Sequence, residues 1–135
     1  MELCRKWNGW LSQWHSLAPT VLRLALGLGM AMHGWQKIGN FANVSGMLEN
    51  LGFPLASFFA VLLIVIEFGG GLFVLAGLWT RVWSSLIAVT MVVAILMVHL
   101  KGGAELALLY LAIALALSFM GPGRFSLGTR LNLQE

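Results

Sequence analysis

A few residues in this chain have types and positions that could do chemistry. Glu67 lies in the run Ile64-Val65-Ile66-Glu67-Phe68 and is the only ionisable group between Phe58 and Phe73. An unpaired carboxylate in hydrocarbon costs ~2.5–3.5 kcal/mol or more on insertion scales. Glu67 must therefore be protonated, paired, or facing a polar cavity. His33 and Lys37 are four residues apart, which makes them neighbours on one helix face. Both can donate hydrogen bonds to a carbonyl oxygen, and a buried Glu can supply or accept a proton. A quinone head needs those groups when it is reduced, while its apolar tail can lie between helices. Glu67 and His33 are thus the candidate catalytic residues, and Lys37, Arg23 and His99 the candidate ligand-binding residues. Transporters use the same residue types, so the chemistry is not unique to a quinone.

Each of these residues also has a structural reading. Arg23, about five residues into an apolar run, can snorkel to headgroups or form a salt bridge. Glu67 can form a buried hydrogen bond or pair with Arg23. Lys37, His99 and Glu105 can simply meet water at an interface. Two facing histidines, His33 and His99, could ligate a b-type haem. The chain has only three histidines and His99 falls near a span end, so haem is set aside. A metal site is not expected, because neither a second carboxylate nor a Cys joins His33, His99 and Glu67.

Other chemistries are excluded by composition. The chain has no Asp, which removes a Ser-His-Asp triad, and its single Cys4 removes an internal disulfide or C-x-x-C pair. Gly27-Leu28-Gly29 is followed by Met32 where a third phosphate-cradling glycine should be. The formal charge is +3 with eight Lys+Arg spread over the connections. That distribution sets membrane orientation rather than forming a nucleic-acid surface.

The elements that must position these residues are long apolar helices. Of 135 residues, 59% are hydrophobic and 10% charged, and the mean hydropathy is +0.88. Soluble domains run nearer ~45–50% apolar and ~25% charged. A span needs roughly 20 apolar residues, and four runs qualify: Pro19–Lys37, Pro54–Gly77, Val82–Leu100 and Ala104–Met120. The short connections Leu78–Arg81 and Lys101–Gly103 force antiparallel neighbours. The expected fold is all-α: a polytopic membrane four-helix bundle over residues 18–121, with a tail over 122–135. Residues 1–17 place Leu3, Trp7, Trp10, Leu11, Trp14 and Leu17 on one helical face, as an N-terminal interfacial helix would. They lack the apolar h-region of a signal peptide.

Four spans put both termini on one side. That side carries Arg5, Lys6, Arg81, Arg124 and Arg130, against Lys37 and Lys101 on the other. The positive-inside rule makes it the cytoplasmic side. In the outer loop, Phe41, Val44, Leu48 and Leu51 recur at helical spacing, and Gly52 can close the helix. This short helix is either a lid over a site or a helix resting on lipid.

Leu22-Arg23-Leu24 with Gly27 and His33-Gly34-Trp35-Gln36-Lys37 resembles the first span of the DoxX family. Glu67 with Gly70 and Gly71, then Gly77-Leu78-Trp79-Thr80-Arg81, is similar to its second span and inner loop. Gly121-Pro122-Gly123-Arg124-Phe125-Ser126 resembles its C-terminal signature, except that Gly128 stands where the family often has Asp. The resemblance implies a small bacterial inner-membrane protein of four helices, with Arg23, His33, Lys37 and Glu67 as the positions carried over. Some relatives are linked to quinone-coupled sulfur oxidation or to membrane oxidoreductase complexes.

The expected function is a membrane subunit of a quinone-linked oxidoreductase. His33 and Lys37 would bind a quinone carbonyl, Glu67 would relay a proton, and Arg23 would position or neutralise Glu67. A redox partner protein would supply electrons, and the small-residue faces permit a homo-oligomer. The alternatives are a non-enzymatic membrane adaptor for soluble redox or stress-response partners, and a small-solute carrier.

Overall fold

Apolar runs broken by glycine-bearing turns favour helices, and the computed structural model of the chain contains only helices and turns among its described residues. These are Trp7, Trp14, residues 17–98 and residues 103–132. The order is α1 (Ala18–Ile38), α2 (Phe41–Asn50), α3 (Ala56–Ile64), a π-helical turn (Val65–Gly69), α4 (Gly70–Ala76), α5 (Thr80–Met97), α6 (Glu105–Met120) and α7 (Leu127–Arg130). The α3–π–α4 rod, Ala56–Ala76, and α5 are long and apolar enough to cross a membrane. Trp7 and Trp14 are helical and exposed. The rest of the expected interfacial segment, with His99 and Lys101, lies outside the described residues.

Helix ends follow from local chemistry. Pro19 stands in the first turn of α1, where its missing N–H costs nothing. At the end of α2, Gly52 adopts φ +82°. Its N–H donates to Glu49 O at 2.9 Å, and the Phe53 N–H donates to Leu48 O at 3.0 Å. Gly77 (φ +74°) repeats that motif after α4, with N–H bonds from Gly77 to Val74 O and from Leu78 to Phe73 O. Both are paired left-handed terminations that favour Gly.

Packing of α1 against the α3–π–α4 rod rests on absent side chains. A Cβ at Gly71 would lie 2.6 Å from Ala31 N and 2.9 Å from Gly27 O, and one at Gly34 would run into the Phe68 backbone. These contacts fix an antiparallel register: Gly27 is level with Gly71 and Leu75, and Gly34 with Phe68. Backbone cannot yield as a flexible side chain can, so Gly71→Ala overpacks the seam. The expected loss is ~1–3 kcal/mol, read by reversible unfolding in detergent; an unchanged midpoint would contradict this seam.

The second pair is α5 and α6, which pack closely along their lengths. Leu26, Met30, Val74, Ile87, Met91, Ala114 and Leu117 form the core between the two pairs. Helix α2 folds back onto α3. Its Val44 and Leu48 bury against Ala60, Phe59 and Leu63, and Ser45 and Ser57 share a hydroxyl hydrogen bond of 3.0 Å. The short helix α2 is therefore seated on the protein.

Candidate functional site

The register places two polar centres at opposite ends of α1. Arg23 and Lys37 are 14 residues apart, about 21 Å along the helix. Arg23 is level with the end of α4, and Lys37 is level with the π turn.

Arg23 is 4% exposed. Its Nε donates to Val74 O at 2.9 Å and its Nη2 to Leu75 O at 2.8 Å. Its Nη1 donates to Pro122 O at 2.9 Å and Phe125 O at 3.0 Å. The first two acceptors are carbonyls at the negative end of α4, of which Val74 O also accepts from the Gly77 N–H. The other two belong to the segment after α6. The guanidinium thus joins the α4 end to the returning chain, with Gly77 leaving it room: a Cβ there would lie 2.6 Å from Arg23 Cζ and 2.5 Å from Ser126 Cβ. Gly128 donates its N–H to Gly77 O at 3.1 Å, and Ser126 caps α7 by accepting from Thr129 N–H at 3.0 Å.

Two expectations are corrected here. Arg23 neither snorkels nor pairs with Glu67, because the antiparallel register sets them at different levels. It does not line the cavity described next.

At the other end, Lys37 Nζ donates to Glu67 Oε1 at 2.5 Å. Glu67 is 2% exposed and Lys37 28%, so the pair runs from the interior to the rim. Glu67 Oε2 is buried and has no hydrogen-bond partner among the described residues. The carboxylate sits at the middle of the π turn, where one wider turn interrupts the rod. Such single-turn bulges recur at functional sites because they re-aim side chains within an otherwise regular helix.

Glu67 and Lys37 both line a cavity of about 590 Å³. That volume suits a small-molecule site. Its walls come from α1, α2, α3, α5 and α6 and are mostly apolar, including Met30, Leu48, Phe59, Met91 and Leu106. The polar side chains facing it are His33, Lys37, Glu67, Thr90 and Tyr110. His33 and Tyr110 meet edge to face, with ring centroids 5.7 Å apart. Thr90 donates its hydroxyl to Ile87 O at 2.8 Å, leaving the oxygen as an acceptor. Met47, Leu48 and Leu51 line the cavity from the α2 side, so the short helix of the lid-or-lipid alternative packs over it.

The expected gathering of His33, Lys37 and Glu67 is therefore present in one cavity. Glu105 is exposed at the start of α6 and does not line it. His99, the remaining candidate, lies outside the described residues. Sequence reasoning missed Tyr110 and Thr90. Tyr110 had a legible signal: it is the one tyrosine of the chain, set in an apolar run where its hydroxyl must find a partner or a wet cavity.

This arrangement supplies donors (Lys37 and His33), an acceptor (Glu67) and an apolar body for a ligand. Comparison with known proteins agrees with the motifs. The DoxX family model matches residues 18–100, which cover α1 to α5 and so both polar centres. The chain belongs to the DoxX family. One relative is an uncharacterised membrane protein of Mycobacterium tuberculosis, Rv3486, 36% identical over 84% of this chain and 82% of its own length. Another, of Bacillus subtilis, is CatD, whose name describes it as a candidate oxidoreductase. It is 33% identical over 78% of this chain and 80% of its own length. No solved structure matches the chain. The DoxX chain is a membrane protein: its surroundings are lipid, in keeping with the two long apolar helices and the exposed Phe58, Val61, Val89 and Leu96 along them.

Proposed function

We propose that this DoxX protein is the integral membrane subunit of a quinone-linked oxidoreductase system and binds a quinone in the cavity beneath α2. The observation that carries the reading is one apolar chamber ending on an ion pair, Lys37–Glu67, with His33 beside it. In this reading α1 and the shorter α6 join the two long apolar helices as a four-span bundle in a bacterial inner membrane. Both termini face the cytoplasm, where Arg81, Arg124 and Arg130 cluster. The chamber then opens in the outer half of the bundle.

Reducing a quinone to a quinol adds two electrons and two protons. Electrons come from a redox partner protein. Lys37 and His33 hold the carbonyl oxygens, and Glu67 passes protons to them. A homo-oligomer is compatible with this arrangement. The name of the Bacillus subtilis relative supports redox chemistry.

The test is titration of the full chain in nanodiscs with decylubiquinone. Saturable binding is expected, weakened about tenfold by His33→Ala, the value of one lost hydrogen bond. In native membranes, Glu67→Gln is expected to slow decylubiquinone reduction by about 100-fold, the lower range for a lost acid–base group. Absence of binding together with unchanged reduction in Glu67→Gln would remove the reading.

A further inference from the structure

We infer that the chamber selects ligands carrying a hydroxyl donor, so that an apolar phenol, here the quinol, binds more tightly than its carbonyl counterpart. This rests on the reading of the chamber as a quinone site and names the form of ligand that the site prefers.

The inference starts from Glu67. Its Oε1 accepts from Lys37 at 2.5 Å, while Oε2 is buried without a hydrogen-bond partner among the described residues. An ionised carboxylate can only accept hydrogen bonds. A carbonyl oxygen brought to Oε2 has no hydrogen to offer and faces a like partial charge. A hydroxyl brought there donates a charge-assisted bond, the stronger class. Leaving a buried acceptor unmade is costly, which raises the discrimination further.

The rest of the chamber fits the same class. Apart from five side chains, its lining is apolar and demands an apolar body. Thr90 has committed its hydrogen to Ile87 O and presents an oxygen acceptor. Two of the five polar groups therefore offer acceptors. Sites built to hydrogen-bond a substrate hydroxyl reject analogues lacking it far better than apolar pockets reject an added one. The seam holds Glu67 in place: Gly34 lets α1 touch the Phe68 backbone, immediately beside the carboxylate.

The experiment uses the full chain in nanodiscs and two matched probe pairs. One pair is decylubiquinol and decylubiquinone. The other is para-heptylphenol and its methyl ether, in which a methyl group replaces the donor hydrogen. The expected result is roughly tenfold tighter binding of each hydroxyl form. Glu67→Gln is expected to bring both ratios close to one, because the amide can donate as well as accept. The wild-type ratios alone decide the matter if that variant fails to fold. Equal affinity within both pairs overturns the donor selection while leaving the quinone reading intact, as does a ratio retained in folded Glu67→Gln. A phenol preference with no binding of either quinone form supports the acceptor at Glu67 and overturns the quinone reading instead.

Discussion

Replacing Arg23 with leucine is expected to lower the stability of the chain by about 3–5 kcal/mol, because each buried carbonyl left without a donor costs about 1–3 kcal/mol and the costs are not additive. Among the described residues the variant loses four hydrogen bonds in one step, and each of these acceptors is a backbone carbonyl that remains. Bonds to charged groups contribute about 1.5–3 kcal/mol each, and they are not additive when one side chain makes them all. Leucine fills much of the stem volume but leaves the Val74, Leu75, Pro122 and Phe125 carbonyls without that donor. Arg23→Lys is expected to recover only part of the loss, because a single ammonium cannot reproduce the planar fork that reaches both the α4 end and the returning chain. Reversible unfolding in detergent reads the effect. Trypsin cleavage after Arg124 and Arg130 should also accelerate, as the clasp that holds this segment is lost. An Arg23→Leu protein that unfolds within about 1 kcal/mol of the parent would contradict the clasp.

The second large effect is at the Lys37–Glu67 pair. Lys37→Met leaves a 2% exposed carboxylate beside apolar neighbours. Breaking a buried pair from one side costs about 3–5 kcal/mol, and the 28% exposure of Lys37 places this pair at or below the lower end. A loss of about 2–3 kcal/mol is expected. The double variant Lys37→Met/Glu67→Leu removes the charge left behind and should recover most of that stability, since an apolar replacement of both partners is often neutral. Binding separates from stability here: the double variant should fold and yet fail to bind decylubiquinol. A double-mutant cycle showing no coupling between the two positions would mean that the 2.5 Å contact adds nothing to the folded state. Together the two predictions divide the residues shared with the family motifs into a structural end at Arg23 and the proposed ligand-binding end at Lys37 and Glu67.

Much of the fold was legible because its cause is local. Apolar runs of 17 to 24 residues, Pro19 and the two terminating glycines mark helix positions within a few residues of those observed. The outer helix was legible from its periodicity, and Gly52 closes it as expected. The π turn was not legible. Val65–Gly69 has no composition that separates it from the α-helix on either side; its extra width arises where the rod packs against α1. For the same reason Glu67 was legible as an anomaly but not as a partner. Its cost in lipid showed that it must be satisfied without saying by which residue. Arg23 and Lys37 were both on a plausible stripe of α1, and only the vertical register distinguishes them. Tyr110 and Thr90 were overlooked because neither is ionisable, although both bring a polar atom to an apolar chamber.

Taken alone, the amino-acid sequence determined that this is an all-helical membrane chain, where its helices begin and end, and which few polar groups its apolar runs must accommodate. Those outcomes depend on hydrophobicity, helical period and the conformational freedom of glycine, all properties of residues near one another in the chain. The tertiary structure decided the pairing. Close backbone contact at Gly27, Gly34 and Gly71 sets how α1 slides along its partner rod. A slide of one turn, about 5.4 Å, would set His33 in place of Lys37 at the level of Glu67. That contact gives Glu67 to Lys37 and Arg23 to the backbone carbonyls, and it leaves Glu67 Oε2 buried without a hydrogen-bond partner among the described residues, on a residue that lines the mostly apolar cavity.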